Sequence, residues 1–388
     1  MNITITPGKL SGTVKAISSK SMAHRMLICA AFCDRETELI CPETSRDIEA
    51  TVDCLKALGA SILPTASGYR VIPIKAVPEK ASLHCGESGS TLRFLLPIVG
   101  ALGVKATFHL EGRLPLRPLS PLWEELERMG CTLSRPTETT LLCTGKLRPG
   151  DYSIDGSVSS QFITGLLFGL ALIEGETSLT VTGKAESRPY IDMTRQVLAQ
   201  FDAPNFHSPG SVTVEGDWSN AAFWLAAKML GSDLTVTNLN PNSVQGDRAI
   251  EYLLSDLAEN PTIDASDIPD LVPILAVVRA CFRGATFSGI RRLRLKESDR
   301  VGSTIAMLKA LGGHAEATED TLTVYPTGLT GGTVNAGNDH RIAMSAAIAS
   351  TACQQKVTIL GAECVNKSYP RFWEDFSRSG GKYELDLR

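Results

Sequence analysis

Apolar residues fall along this chain in two helical patterns that alternate. In the first, the segments 54–62, 122–133 and 306–317 divide an apolar from a charged face and run through Gly59, Gly130 or Gly312 into a β-rich stretch. Weaker copies lie at 195–206, 252–263 and 372–385. Measured at Gly59, Gly130, Asp202, Glu259, Gly312 and Gly380, the copies recur about every 70 residues, shortened to about 55 on either side of Glu259. Six copies of one unit explain that period.

The second pattern is apolar nearly all round and rich in small residues, at 22–33, 91–102, 162–173, 221–230, 271–282 and 341–353. A helix without a polar face is buried inside its domain. Each unit therefore reads as buried helix, strand, amphipathic helix and strands, and three units make a domain. The segments leading into the buried helices are rich in Ser, Gly, Asp and Asn, which cap helices. Several leads also carry Lys, Arg or Gln: Lys20 and Ser21 with Arg25 a turn on, Gly89 with Arg93, Ser159-Ser160-Gln161, and Asn338-Asp339-His340-Arg341. Unpaired N–H groups, the positive end of the helix dipole and a nearby cation together bind anions. Several such ends facing one cleft would take a polyanionic small molecule.

Composition narrows the field. The 388 residues are 43% apolar and 21% charged, which excludes a largely disordered chain. The longest apolar run, 162–173, is too short for a bilayer, which needs ~20 residues. The first ten residues alternate like a strand and resemble neither a signal nor a transit segment, so a cytoplasmic chain is expected. A net charge of −4 argues against a nucleic-acid or membrane partner and makes any basic site local. Ten cysteines without a CxxC pair read as buried free thiols rather than a disulfide framework. Six histidines without HxH or HExxH spacing give no metal site, and Walker, dinucleotide-binding and GxSxG signatures are missing.

Three further groups carry chemistry. Arg113 and Arg117 flank a proline-stiffened loop suited to clamping carboxylate or phosphate. Residues 290–295 read as a basic strand leading into Lys296-Glu297-Ser298-Asp299-Arg300, where a helical turn would align Lys296 with Arg300 and set Glu297 beside bound anions as acid or base. Lys367 adds another cation. For each group an ordinary solvated or ion-paired surface is the competing reading, and their joint occurrence at equivalent repeat positions weighs against it.

With these residues in view, the chain resembles the 3-phosphoshikimate 1-carboxyvinyltransferase (EPSP synthase) family over nearly its whole length. The motifs stand in family order: SKSMAHR at 19–25, GESGSTLRF at 86–94, RLPLRP at 113–118, SSQF at 159–162, ESRPY at 186–190, DIPD at 267–270, LKESDR at 295–300, NDHR at 338–341 and NKSYP at 366–370. The resemblance implies an α/β (α+β) fold of two similar domains, each of three βαβαββ units with buried helices, an inside-out α/β barrel. The first domain is expected over 11–215 and the second over 1–10 plus 216–388, hinged near residues 10–20 and 215, with the active site in the interdomain cleft. It also implies transfer of the enolpyruvyl group of phosphoenolpyruvate to the 5-hydroxyl of shikimate 3-phosphate through a tetrahedral ketal, with release of phosphate. Both substrates are small molecules; no cofactor or metal is implied, and a monomer is expected.

By the same resemblance Lys20, Ser21, Arg25, Ser159, Ser160, Gln161, Ser187, Asp270, Arg292 and Lys296 hold shikimate 3-phosphate, against the ring of Tyr190. Lys20, Gly89, Arg93, Arg113, Gln161, Arg300, Arg341 and Lys367 hold phosphoenolpyruvate. Asp270 is the base for the 5-hydroxyl, Glu297 the acid for the methylene carbon, and Lys20 an alternative proton handler. The chain departs from the commoner pattern at Glu87 (usually Asn), Ser90 (Thr) and Arg292 (often Asn), and Glu87 bears on sensitivity to the family's inhibitor, glyphosate. The related UDP-N-acetylglucosamine 1-carboxyvinyltransferases share fold and donor, but carry a cysteine in the mobile loop and a Lys-Asn pair near the N-terminus. Here the loop around Arg113 has no cysteine and Lys20 precedes Ser21. A binding module without activity would share the fold, but intact Lys20, Asp270, Glu297 and Lys367 speak against it.

Overall fold

The computed structural model describes residues 1–256 and 258–386. Leu257, within the weak repeat copy at 252–263, and the last two residues of the second expected domain lie outside the described residues.

The helices are α1 (Lys20–Ala31), α2 (Arg46–Ala57), α3 (Gly89–Leu102), α4 (Leu122–Arg128), α5 (Ser160–Leu170), α6 (Arg188–Gln200), α7 (Trp218–Met229), α8 (Ile250–Ser255), α9 (Val272–Cys281), α10 (Arg300–Ala310), α11 (His340–Ala349) and α12 (Phe372–Arg378). Odd-numbered helices are the all-apolar ones and are buried nearly throughout; α3 and α11, for example, bury almost every residue. Even-numbered helices bury one face, as α2 does with Ile48, Thr51, Val52, Cys54 and Leu55. The alternation read from the sequence is thus the alternation of core and cover. Among the described residues, no helix is long and apolar enough to cross a membrane.

Two compact units form, Ser18–Glu215 and a second made of Met1–Ile17 with the chain from Gly216 onward. Each has its own core, the first around Leu95, Phe108 and Phe162, the second around Trp224, Leu275 and Phe372. The expected boundary at residue 11 is corrected. Strand Ser11–Lys15 pairs in parallel with Asp233–Thr237, and Ala16 N–H continues the ladder to the Thr237 carbonyl at 2.9 Å, so residues 11–17 stay with the second unit.

Four repeats carry a four-stranded sheet of one design, a parallel pair extended by an antiparallel hairpin. Lys80–Gly86 lies parallel to Lys105–Leu110, which pairs antiparallel with Thr140–Gly145, and that strand with Cys131–Thr137. The same order recurs in the sheets containing Thr37–Ile40 and Ala285–Ser288. In the fourth, the N-terminal strand Asn2–Thr6 takes a hairpin position between Val357–Leu360 and Lys382–Asp386. The other two sheets have two strands each among the described residues, Gly150–Asp155 with Thr177–Thr182 and Ser11–Lys15 with Asp233–Thr237. No hairpin follows α6 or α8 there, and these are the two places where the sequence interval shortens. Among the described residues, the six βαβαββ repeats are therefore four complete ones and two that lack the terminal hairpin.

Candidate active site

In the Ser18–Glu215 unit the polar residues gather at the starts of its buried helices. Ser19 caps α1, Ser88 caps α3 and Ser159 caps α5, each accepting from a backbone N–H in the first turn. A hydroxyl chain links α1 through α2 to the start of α3. Buried His24 Nδ1 lies 2.7 Å from Thr51 Oγ1, which lies 2.7 Å from Thr91 Oγ1, and Thr91 donates to Ser88 Oγ at 2.7 Å. Burial, helped by Lys20 and Arg25, holds the His24 pKa well below the usual histidine value, so the ring is neutral.

Lys20 pairs with Asp47 at 2.8 Å at the start of α1. Arg25, buried on the same helix, donates from Nε to Thr194 (2.9 Å), from Nη1 to the Ser21 carbonyl (2.7 Å) and from Nη2 to the Tyr190 carbonyl (2.8 Å) and Thr164 (3.4 Å). The protein itself therefore satisfies most of the guanidinium donors, and Arg25 needs no anion to be buried. Desolvation lowers its pKa to about 10, still charged at neutral pH. Its bond to Tyr190 fixes α6, whose N-terminal Ser187 is buried with φ +54°, a left-handed conformation uncommon for a residue with a side chain.

The α3 start is closely packed. Arg93 Nη1 donates to Gln161 Oε1 at 2.9 Å, and Gln161 Nε2 donates to Ser90 at 3.0 Å, joining α3 to α5. A methyl group on Gly89 would lie 2.6 Å from Arg93 Nη1 and 2.7 Å from Arg117 Nη1, so glycine lets two guanidinium groups approach the helix end. Arg113 is exposed and begins a 3₁₀ turn over Leu114–Leu116, and that turn carries Arg117 to Gly89. The Glu87 side chain packs over Gly112, occupying the space a Cβ there would need; its carboxylate lies against the loop backbone.

In the second unit the starts of α7, α9 and α11 gather a carboxylate–guanidinium network. Arg300, with 1% of its side chain exposed, donates from Nη1 to Asp270 (2.6 Å), from Nη2 to Glu297 and from Nε to Asp339 (3.0 Å). Asp339, fully buried, also caps α11 and accepts from Ser298 at 2.9 Å. Asp270 is approached by Lys296 Nζ at 3.7 Å and by Arg341 Nη2 at 3.4 Å. Burial opposes charge on Asp270, yet Lys296, Arg341 and Arg300 outweigh it and hold the carboxyl well below the usual range. Burial also lowers Lys296, to about 8, despite the opposing pull of Asp270. Lys367 donates to the Asn338 carbonyl at 2.8 Å, beside the α11 start.

Two local expectations change. Residues Arg291–Leu295 form a 3₁₀ helix rather than a strand, because Ile290 and Leu293, three apart and buried, face the core while the arginines between them do not. Lys296 lies before α10, whose cap is Asp299, so Lys296 and Arg300 meet on Asp270 rather than through a helical turn. Arg292 sits half-buried on the 3₁₀ segment. Sequence reading gave Arg117, Asp339 and Ser298 no site role of their own beyond the motifs that contain them, and passed over Asp247 altogether. The first three stand inside quoted motifs, where their role as anchors for other side chains needed coordinates to see.

The fold matches solved enolpyruvyl transferases. An EPSP synthase from Acinetobacter baumannii superposes with a TM-score of 0.77 at 24% identity, covering 99% of this chain and 100% of that one. An enolpyruvyl transferase from Streptomyces tendae does so with a TM-score of 0.77 at 19% identity, covering 99% and 98%. Within that class the sequence is more specific. The family model for EPSP synthase (3-phosphoshikimate 1-carboxyvinyltransferase) matches residues 5–260 and 256–376. A 3-phosphoshikimate 1-carboxyvinyltransferase from Clostridium kluyveri is 38% identical over 98% of both chains, and one from Clostridium acetobutylicum 37% over 98% of this chain and 97% of its own. The chain belongs to the EPSP synthase family.

Proposed function

We propose that this chain is a 3-phosphoshikimate 1-carboxyvinyltransferase, moving the enolpyruvyl group of phosphoenolpyruvate onto the 5-hydroxyl of shikimate 3-phosphate with release of phosphate. The observation that carries the mechanism is Asp270, ionised among Lys296, Arg300 and Arg341 and bonded to the same guanidinium as Glu297. An ionised carboxylate can take the hydroxyl proton as the oxygen attacks the donor's C2. Glu297 delivers a proton to the methylene carbon, which gives the tetrahedral ketal. An anionic donor that recruits Arg300 weakens the cation's hold on Glu297 and so favours the protonated form. Loss of phosphate from C2 and of a proton from the new methyl group then restores the enol.

In this reading Ser21, Arg25, Ser159, Ser160, Gln161, Ser187, Tyr190, Arg292 and Lys296 hold the shikimate phosphate and ring. Gly89, Arg93, Arg113, Gln161, Arg300, Arg341 and Lys367 hold the donor, with Arg117 beside Gly89, and Lys20 serves both substrates. The same reading has the chain act as a cytoplasmic monomer on these small molecules, without cofactor, metal, nucleic acid or membrane. The test is phosphate release with phosphoenolpyruvate and either shikimate 3-phosphate or UDP-N-acetylglucosamine; release with the second alone overturns the assignment. Asp270→Asn and Glu297→Gln are expected to lower turnover ~10²–10⁴-fold, the usual cost of losing a positioned acid or base, with smaller changes in KM.

A further inference from the structure

One acidic group in the second unit has no part in the mechanism above. Asp247 lies in the short 3₁₀ segment Gly246–Ala249 and is 3% exposed. Gln245 pins that segment to the start of α7, accepting from Trp218 N–H at 3.1 Å and donating to the Gly216 carbonyl at 2.9 Å. Ser219 on α7 donates its hydroxyl to Asp247 Oδ2, while its carbonyl accepts from Arg341 Nη1 at 2.9 Å. Arg341 in turn reaches Asp270 at 3.4 Å. Among the described residues, no donor reaches the buried Asp247 Oδ1. A fully ionised carboxylate would not ordinarily be left so poorly paired in a buried site, whereas a carboxylic acid loses far less by it.

The surroundings point the same way. Burial and the charge of Asp270, with a smaller push from Asp217 at the α7 cap, raise the Asp247 carboxyl to about 7 against the opposing pull of Arg341 and Ser219. Two neighbouring buried carboxyls thus separate, Asp270 ionised and Asp247 holding a proton.

We infer that Asp247 is a positioning residue that carries a proton when phosphoenolpyruvate binds, leaving the charge of Arg341 to the anionic donor, and that its ionisation turns that charge inward and weakens the donor. This rests on the reading of Arg341 as a donor ligand. Linkage is reciprocal: a donor held by Arg341 favours the protonated form of Asp247.

The test is the KM for phosphoenolpyruvate at saturating shikimate 3-phosphate, measured between about pH 6 and 8 on the full chain and on Asp247→Asn, which is neutral throughout. Substrate phosphates titrate near pH 6 in both proteins, so the comparison isolates Asp247. The wild-type KM is expected to rise on the order of tenfold more than that of the variant over this range. Ser219→Ala, which removes a hydrogen bond favouring the charged form, should move the wild-type rise to higher pH. A second readout needs no activity. Because the Asp247 carboxyl titrates higher when folded, the native state binds the extra proton, and wild type loses stability as pH rises from about 4 to about 7. The Asp247→Asn variant lacks that loss, so its melting temperature should gain on wild type across the interval. Coincident KM profiles in an active enzyme, or a melting gap independent of pH, overturn the inference; a wild type that transfers no enolpyruvyl group overturns the reading beneath it.

Discussion

At Gly89 two guanidinium groups crowd the end of one helix, and which arginine does so decides where an anion can sit. Arg117 Nη1 is within 2.7 Å of the position a methyl group would take there, while Arg113 is exposed at the other end of the 3₁₀ turn Leu114–Leu116. Arg117→Ala is therefore expected to raise the KM for phosphoenolpyruvate by tenfold or more, roughly the ~1.5–3 kcal/mol of a charged hydrogen bond. Steady-state kinetics of the variant check this; an unchanged KM would show that Arg117 only packs against the helix end. Lys296 makes a second residue-scale prediction. Burial lowers its pKa to about 8, so its positive charge is present below that pH and lost above it. The kcat/KM for shikimate 3-phosphate should accordingly fall as pH passes upward through 8, and Lys296→Arg, charged throughout, should flatten that limb of the profile.

Between elements, the close crossing of α3 and α5 sets the Arg93–Gln161 pair. Pro97 has no N–H to give the Arg93 carbonyl one turn back, and Gly165 of α5 packs on that carbonyl so closely that a methyl group on Gly165 would overlap it. One turn on, a methyl group on Gly169 would lie 2.9 Å from the Pro97 carbonyl oxygen. Small residues here are a packing requirement, since the two backbones meet where side chains would hold them apart. Gly165→Ala is expected to cost ~1–3 kcal/mol by overpacking and to raise the donor KM by moving Gln161 from Arg93. Denaturant unfolding and kinetics on the same variant measure both; a stable variant with unchanged KM would show that the crossing has slack.

For the molecule as a whole, the chain's order and its spatial grouping disagree at the N-terminus. Strand Asn2–Thr6 is a central strand, flanked by Val357–Leu360 and Lys382–Asp386, and buries Ile3 and Ile5 completely. Deleting residues 1–6 would leave two strands without their shared partner and expose the core beneath. Hydrogen exchange should then show lost protection in the unit from Gly216 onward, with the Ser18–Glu215 unit, built on a separate core, largely spared. Uniform loss across both units would argue that they unfold as one.

The sequence by itself determined the alternation of buried and amphipathic helices, because burial on all sides or on one side leaves a periodic mark on each segment. It also determined the caps, the cation-bearing helix starts and even the two shortened repeats, since a missing hairpin shortens the interval. Local signals of this kind depend on neighbours a few residues away. Tertiary structure decided the rest. Strand Ser11–Lys15 joined the far unit because its ladder partner lies at 233–237, the segment 290–295 became a 3₁₀ helix because the core accepted Ile290 and Leu293 at a three-residue spacing, and the loop turn brought Arg117 to Gly89. Asp247 was the least legible of all. Nothing in its own sequence neighbourhood marks it, because burial, Asp270 and Arg341 come to it from other elements and are what set its charge.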